Sequence, residues 1–186
     1  MYRVFAISML FTIACSAWGD DVIEAIEQAT DLYESGQTRQ AISQLEFAAQ
    51  LIRQQRGSGL QAFLPEPLDG WSAEDANSST SGVALFGGGT SVERSYSDGS
   101  KNVTIRILTD SPMMQAFMMM FSNPAIASAQ GGALKMIAGQ QALVKPDGIT
   151  IVLQNTYLIQ VEGNASNEDY LAYAGEIDFA GLQSFN

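Results

Sequence analysis

Apolar and polar residues alternate through residues 90–108, on both sides of the dipeptide Asp98-Gly99. A period of two places alternate side chains on opposite faces of a β-strand. Asp and Gly tolerate the positive φ angles of a tight two-residue turn, so this run predicts a β-hairpin. A two-residue loop implies three cross-strand pairs: Tyr96 with Lys101, Arg94 with Val103, and Val92 with Ile105.

The two faces of this predicted hairpin differ in chemistry. One is rich in serine and threonine, which suits a solvent-facing surface. The other is apolar apart from two cations and is expected to be buried; it comprises Val92, Arg94, Tyr96, Lys101, Val103, Ile105 and Ile107. Arg94 has two interpretations: a side chain that reaches water or pairs with an acid, or an anion-binding group at the mouth of a pocket.

A second alternating region, residues 134–163, predicts a three-stranded antiparallel meander. Its strands are expected at residues 140–144, 149–153 and 157–161. The apolar side chains of the last two strands meet on one face if the loop between them holds an odd number of residues, such as Gln154-Asn155-Thr156.

Two segments before the strands have apolar residues at helical spacing. Residues 21–34 and 38–55 predict a helical hairpin, broken at residues 35–37 and closed by the glycines of residues 56–59. Part of this hairpin resembles one tetratricopeptide repeat, through Leu32, Tyr33, Gly36, Ala41, Ile42 and Leu45. Because no second copy follows, the hairpin either forms a peptide-binding groove or docks on the next domain or on a second chain, which would give a dimer.

A Met-rich helix is predicted after Ser111-Pro112, which are typical of a helix start. Three interpretations are open: a core helix with Met as adaptable filler, an adaptable surface for a protein, peptide or lipid, or a thioether site for Cu(I). The candidate contact residues for a partner or ligand are Met113, Met114, Phe117, Met118 and Phe121, together with Arg94. A closing helix is expected at residues 166–175.

The first residues are expected to be a targeting segment. Residues 1–19 combine Arg3, a short apolar run and small residues, as in a signal peptide, which predicts a periplasmic or secreted protein. The alternative is a lipoprotein anchored through Cys15, because Thr12-Ile13-Ala14-Cys15 resembles a lipobox. No later run is long and apolar enough to predict a transmembrane segment.

Charge and chemistry narrow the functional classes. Twenty Asp and Glu against nine Lys and Arg give a net charge of -11, which disfavours nucleic acid as a direct partner. The sequence contains no histidine, which excludes Ser-His-Asp catalysis and His-ligated metal sites. No lysine stands in an S-x-x-K motif and no pair of acids is singled out, so we expect no enzyme and no cofactor.

Several short motifs carry a family resemblance. They are L-P-x-P-x-x-G-W at residues 64–71, I-x-G-x-x-A from Ile137 to Ala142, and V-E-G at residues 161–163. In this order the chain resembles a group of uncharacterised exported proteins of proteobacteria and, loosely, the PsbP-like α/β sandwich. That resemblance implies an accessory or assembly role and carries over no functional residue.

The expected fold class is α+β. It consists of an antiparallel sheet of about five to six strands flanked by helices and preceded by an α-helical hairpin. The expected divisions are a signal peptide (1–19), the hairpin (20–58), a linker (59–70) and the sheet domain (71–186). The expected function is a non-catalytic binding or accessory protein of the cell envelope; the alternative is a carrier of an apolar ligand or lipid held between the sheet and the Met-rich helix.

Overall fold

The structure, a computed structural model, describes residues 17–79, 89–109, 111 and 114–185. The predicted signal peptide therefore lies outside the described residues up to residue 16, as do Cys15 and Met113. The elements are α1 (Ala17–Glu34), α2 (Thr38–Leu60), a 3-10 turn (Gln61–Phe63), β1 (Ser72–Ala73), β2 (Asn77–Ser79), β3 (Thr90–Ser97), β4 (Asn102–Thr109), α3 (Met114–Ser122), α4 (Pro124–Ala129), β5 (Ala133–Ile137), β6 (Gln140–Lys145), β7 (Gly148–Leu153), β8 (Tyr157–Gly163), α5 (Asn167–Gly175) and α6 (Phe179–Ser184).

The strands form one antiparallel sheet in the order β1-β3-β4-β8-β7-β6-β5, with β2 also paired to β3. This confirms the α+β class, with an antiparallel sheet flanked by helices and a helical pair before it. The sheet has eight strands because two short strands, β1 and β2, pair with β3. The meander has four strands, since β5 pairs with β6 and was not predicted as a strand.

The predicted register of the β3–β4 hairpin is wrong by two residues. Tyr96 lies opposite Val103, Arg94 opposite Ile105 and Val92 opposite Ile107, so the loop holds four residues, 98–101. The Asp98 carboxylate explains the wider turn, because its Oδ1 accepts from the backbone N–H of Ser100 at 2.9 Å and of Lys101 at 2.8 Å. Lys101 thus lies in the loop rather than on the apolar face. A shift of two leaves the strand faces unchanged.

The loop between β7 and β8 is the predicted one. Leu153 pairs with Tyr157, which leaves Gln154, Asn155 and Thr156 as the connection. Gln154 and Asn155 adopt left-handed φ angles of 51° and 56°. Ile149, Ile151 and Leu153 therefore share a buried face with the apolar side chains of β8.

The two faces of the sheet are covered by different helices. The larger core lies against α5 and α6 and includes Val92, Tyr96, Ile107, Ile159, Tyr173 and Leu182. On the opposite face, Leu108 and Leu158 form a smaller cluster with Met114 of α3. The Met-rich helix therefore packs on the far side of the sheet from the apolar face of the β3–β4 hairpin.

The predicted end of the second helix at residue 55 is wrong, because α2 continues to Leu60. Leu60 is completely buried in the larger core. The glycines serve close packing instead of termination: a Cβ on Gly57 would lie 3.1 Å from the Ser78 Cβ, and one on Gly59 would lie 2.7 Å from the Phe185 ring. Packing of the last turn outweighs the low helix propensity of glycine.

The chain has two compact units, one up to Leu51 and one from Ile52 onwards. In the first, α1 and α2 are joined at the predicted break, residues 35–37. Gln44 Nε2 donates to Gln28 Oε1 at 2.8 Å. The residues buried along this helical pair are mostly alanines, namely Ala25, Ala29, Ala41 and Ala48, together with Val22 of α1. No helix in the described part of the chain is long and apolar enough to cross a membrane.

Candidate functional site

Helices α3 and α4 present the first candidate surface. The corner between them is fixed by the side chain of Asn123, which accepts from the Ala125 N–H at 3.0 Å, and by Pro124 at the start of α4. Ser122 Oγ also donates to the Met118 carbonyl at 2.8 Å. These contacts give a short helix–helix corner whose side chains have a defined direction.

The predicted contact residues on α3 mostly face the sheet. Met114 is buried against Leu108 and Leu158. Phe117 and Met118 are half-buried against the same cluster, and Phe121 is half-buried as well. This arrangement combines two of the interpretations of the sequence, since α3 is core on one side and surface on the other.

The exposed part of α3 was not among the predicted contact residues. Met119 is 68% exposed and Ile126 of α4 is 37% exposed. With Met118 and three polar residues they line an open groove of about 460 Å³; we call this the Met-rich surface, made of Gln115, Met118, Met119, Ser122, Asn123 and Ile126. Met119 is five positions after the buried Met114, which places it on the far side of the helix. That spacing was a signal available in the sequence.

A separate recess lies between α3 and the sheet. Its volume is about 310 Å³, and it is lined by Met118, Phe121, Ser122, Gln141, Val152 and Asn155. Three of these six side chains are polar. The recess is at the lower end of the range for small-molecule pockets, roughly 300–1,000 Å³.

Arg94 makes internal contacts that hold the segment preceding the sheet. Its Nε donates to the Glu74 carbonyl at 3.1 Å and its Nη1 to the Pro65 carbonyl at 3.1 Å. The side chain is 19% exposed, and its ion-pair partner Glu66 is 85% exposed. Arg94 lies on the Tyr96 ring, with its Cζ 5.7 Å from the ring centroid. These contacts correspond to the structural interpretation of Arg94.

An aromatic cluster holds the same segment that Arg94 contacts. Tyr96 donates its hydroxyl proton to the Pro65 carbonyl at 2.8 Å, and the Tyr173 hydroxyl accepts from the Leu68 N–H at 3.4 Å. Trp71 packs edge-on against Tyr173, with 5.2 Å between ring centroids. Burial is the main cause that raises the pKa of both tyrosines. The cluster therefore stays neutral and fastens residues 65–71 to the sheet.

The helical pair presents the second candidate surface. A groove of about 320 Å³ is lined by Ala29, Thr30, Tyr33, Thr38, Ala41, Ile42 and Leu45. Three of its side chains are large, apolar and strongly exposed: Tyr33 at 68%, Ile42 at 53% and Leu45 at 52%. We call these seven residues, together with Ile26 at 40%, the hairpin surface. Four of them, Tyr33, Ala41, Ile42 and Leu45, belong to the tetratricopeptide-like pattern.

Within the described residues, no group of three or more His, Cys, Asp or Glu side chains could hold a metal ion. Comparisons of the chain with protein-family models, with curated proteins and with solved structures gave no match.

Proposed function

We propose that the protein is a non-catalytic binding or accessory protein of the cell envelope, and that it contacts a partner protein through the Met-rich surface. The observation that carries this proposal is the 68% exposure of Met119 beside Met118 and Ile126 in an open groove. Methionine side chains are flexible and polarizable, so a Met-lined groove can adapt to an apolar partner segment. The absence of histidine from the sequence supports a role without histidine-dependent catalysis.

The local charge supports an apolar partner. The chain has a net charge of -11, yet residues 111–134 contain no charged side chain. When a partner covers an uncharged patch, no charged side chain has to lose its water, so binding does not carry that desolvation cost. The partner segment is therefore expected to be apolar and uncharged.

The test is photocrosslinking in the envelope of the cells that produce the protein. A photoreactive residue at Met119 is expected to crosslink to one partner, whereas the same residue at Ala172, exposed on α5, gives none. Met119→Glu is expected to abolish co-purification of that partner, and Ala172→Glu to preserve it. Equal crosslinking from both positions would refute the proposal.

The recess between α3 and the sheet favours a second candidate, a carrier of a small apolar ligand. Its polar side chains Ser122, Gln141 and Asn155 would contact the polar end of such a ligand. Native mass spectrometry of the purified protein tests this function directly. A carrier would retain a bound small apolar ligand, and Val152→Trp would reduce its occupancy while leaving the crosslink from Met119 intact.

A further inference from the structure

We propose that the hairpin surface binds the same surface of a second copy of the chain, in a dimer whose two-fold axis runs parallel to α1 and α2. This inference concerns a different surface from the Met-rich surface and does not depend on the proposed envelope partner. The first observation behind it is the distribution of side-chain size. Four alanines and Val22 are buried in the pair, while Ile26, Tyr33, Ile42 and Leu45 point outwards. A helical repeat unit cannot bury such a face alone and normally stacks on a neighbour.

The charges on the two helices identify the neighbour. Helix α1 contains six acidic residues and no basic one, whereas α2 contains three arginines and one glutamate. At about 100° per residue, Glu27 and Glu34 lie along the outer edge of the apolar stripe of α1. By the same spacing, Arg39 and Glu46 lie along the outer edge of the stripe of α2. The hairpin surface thus has a wholly acidic border on one long side and a border of mixed charge, bearing Arg39 and Glu46, on the other.

This asymmetry selects one symmetry. When two identical faces meet, a two-fold axis parallel to the helices places α1 of one copy on α2 of the other. The acidic border then meets the arginine-bearing border twice. An axis perpendicular to the helices would place α1 on α1 and bring the two acidic borders together, which is unfavourable. The observed charges therefore favour the parallel axis.

The register within one copy predicts which residues meet in the dimer. The hydrogen bond between the Gln28 and Gln44 side chains places these two residues at the same level along the axes of the antiparallel helices. Counting from it, Glu34 lies within one residue of the level of Arg39, and Glu27 within one residue of the level of Glu46. Rotation about an axis parallel to the helices keeps these levels. Each Glu34 therefore approaches the Arg39 of the other copy, and each Glu27 approaches its Glu46.

The size of the surface predicts a weak dimer. An 18-residue helix such as α1 is about 27 Å long, and two helices side by side are about 20 Å wide. The contact thus covers roughly 500 Å² per copy, or about 1,000 Å² in total, which is the lower limit for a specific interface. A dissociation constant in the micromolar range is expected.

Sedimentation velocity of the purified full chain over a concentration series tests the proposal. A reversible dimer is expected, and Leu45→Glu should raise its dissociation constant by about 30-fold or more. Phe47→Glu is the matched control, since Phe47 is 48% exposed but lies two positions away, on the opposite side of α2. Circular dichroism verifies that each variant keeps its helical content.

The charge pattern gives the sharper test. Glu34→Arg and Arg39→Glu should each weaken the dimer several-fold, and the double variant should restore it. Glu46→Lys should tighten the dimer, because it replaces a like-charge approach to Glu27 with an opposite one. A monomer at every concentration, or a double variant no better than the single ones, would overturn the proposal. Met119→Glu should leave the dimer unchanged, which separates this result from the test of the proposed function.

Discussion

The ammonium group of Lys101 lies 3.0 Å from Oδ2 of Asp169 and so joins the β3–β4 loop to the first turn of α5. The same Oδ2 accepts from the backbone N–H of Ser166 at 3.0 Å and from its hydroxyl at 2.7 Å. One carboxylate therefore completes the capping box of α5 and positions the loop of the hairpin on it.

This ion pair predicts the pH dependence of stability. The Ser166 bonds first, and then Lys101, lower the pKa of Asp169. A carboxylate with a lowered folded pKa stabilises the fold above its unfolded value, about 3.9, and this stability is lost as pH falls through the folded value. Asp169→Asn should therefore reduce the slope of stability against pH below about 4.

Urea unfolding over a pH series measures that slope. The pKa of Asp98 is also lowered, mainly by the backbone N–H of Lys101. The loss of stability at acidic pH should therefore become smaller in Asp169→Asn but should not disappear. At the basic end, Asp169 raises the pKa of Lys101, whose contribution is complete below its unfolded pKa and is lost as pH rises through the folded value. An unchanged acid slope in the variant would contradict the assignment.

Arg94→Ala is expected to destabilise the protein by about 2 kcal/mol, because it leaves the Pro65 and Glu74 carbonyls without their charged donor. Glu66→Gln is the control and should change stability by less than about 0.5 kcal/mol, since that carboxylate is 85% exposed. Chemical denaturation of both variants measures the difference. If Arg94 bound an anion instead, added phosphate would stabilise the native protein and not Arg94→Ala.

Gly163→Ala is expected to cost about 2 kcal/mol or more. Gly163 has a φ of 152°, and a Cβ there would lie against the backbone carbonyl of Asn102. Gly175 provides the control, because a Cβ at that position meets no atom within 4 Å. Gly175→Ala should therefore change the unfolding free energy by no more than about 0.5 kcal/mol. Similar melting temperatures for the two variants would refute this account.

Thr109→Val is expected to stabilise the fold by about 1 kcal/mol. Thr109 is completely buried, and its hydroxyl has no hydrogen-bond partner among the described residues. Valine keeps the shape and removes the cost of burying an unsatisfied polar group. Thr104→Val should instead destabilise, because it breaks the 3.1 Å hydrogen bond with Ser95. Thermal unfolding of the two variants shows whether each substitution raises or lowers the stability.

Alternation of side chains was sufficient to predict five strands of the sheet, β3, β4, β6, β7 and β8, and one of its loops. The apolar side chains of Ile149–Leu153 and Tyr157–Val161 meet on one face only if the loop between them has an odd number of residues. The structure has three residues there. The same reasoning could not choose between a two-residue and a four-residue loop at Asp98, because both place the same side chains on the same face. That choice depends on the hydrogen bonds of the Asp98 carboxylate.

The other misses have tertiary causes. Gly57 and Gly59 predicted a helix end, yet α2 continues because Leu60 is buried in the core and the glycines allow close contacts. The candidate contact residues of α3 were chosen by their type, and the direction of the sheet decided which were covered. Met114 faces Leu158 and Met119 faces solvent, a distinction that needs the position of the neighbouring element.

The strand order has a consequence for how the chain folds. The β3–β4 hairpin and the β5–β8 meander are each built from neighbours in sequence, and they join along β4 and β8, where Ile107 pairs with Ile159. Closing that pairing orders a much longer stretch of chain than any turn does, so its entropic cost is the largest in the sheet. We expect two quickly formed modules and a slower docking step, and substitutions along the β4–β8 seam to lower the folding rate most.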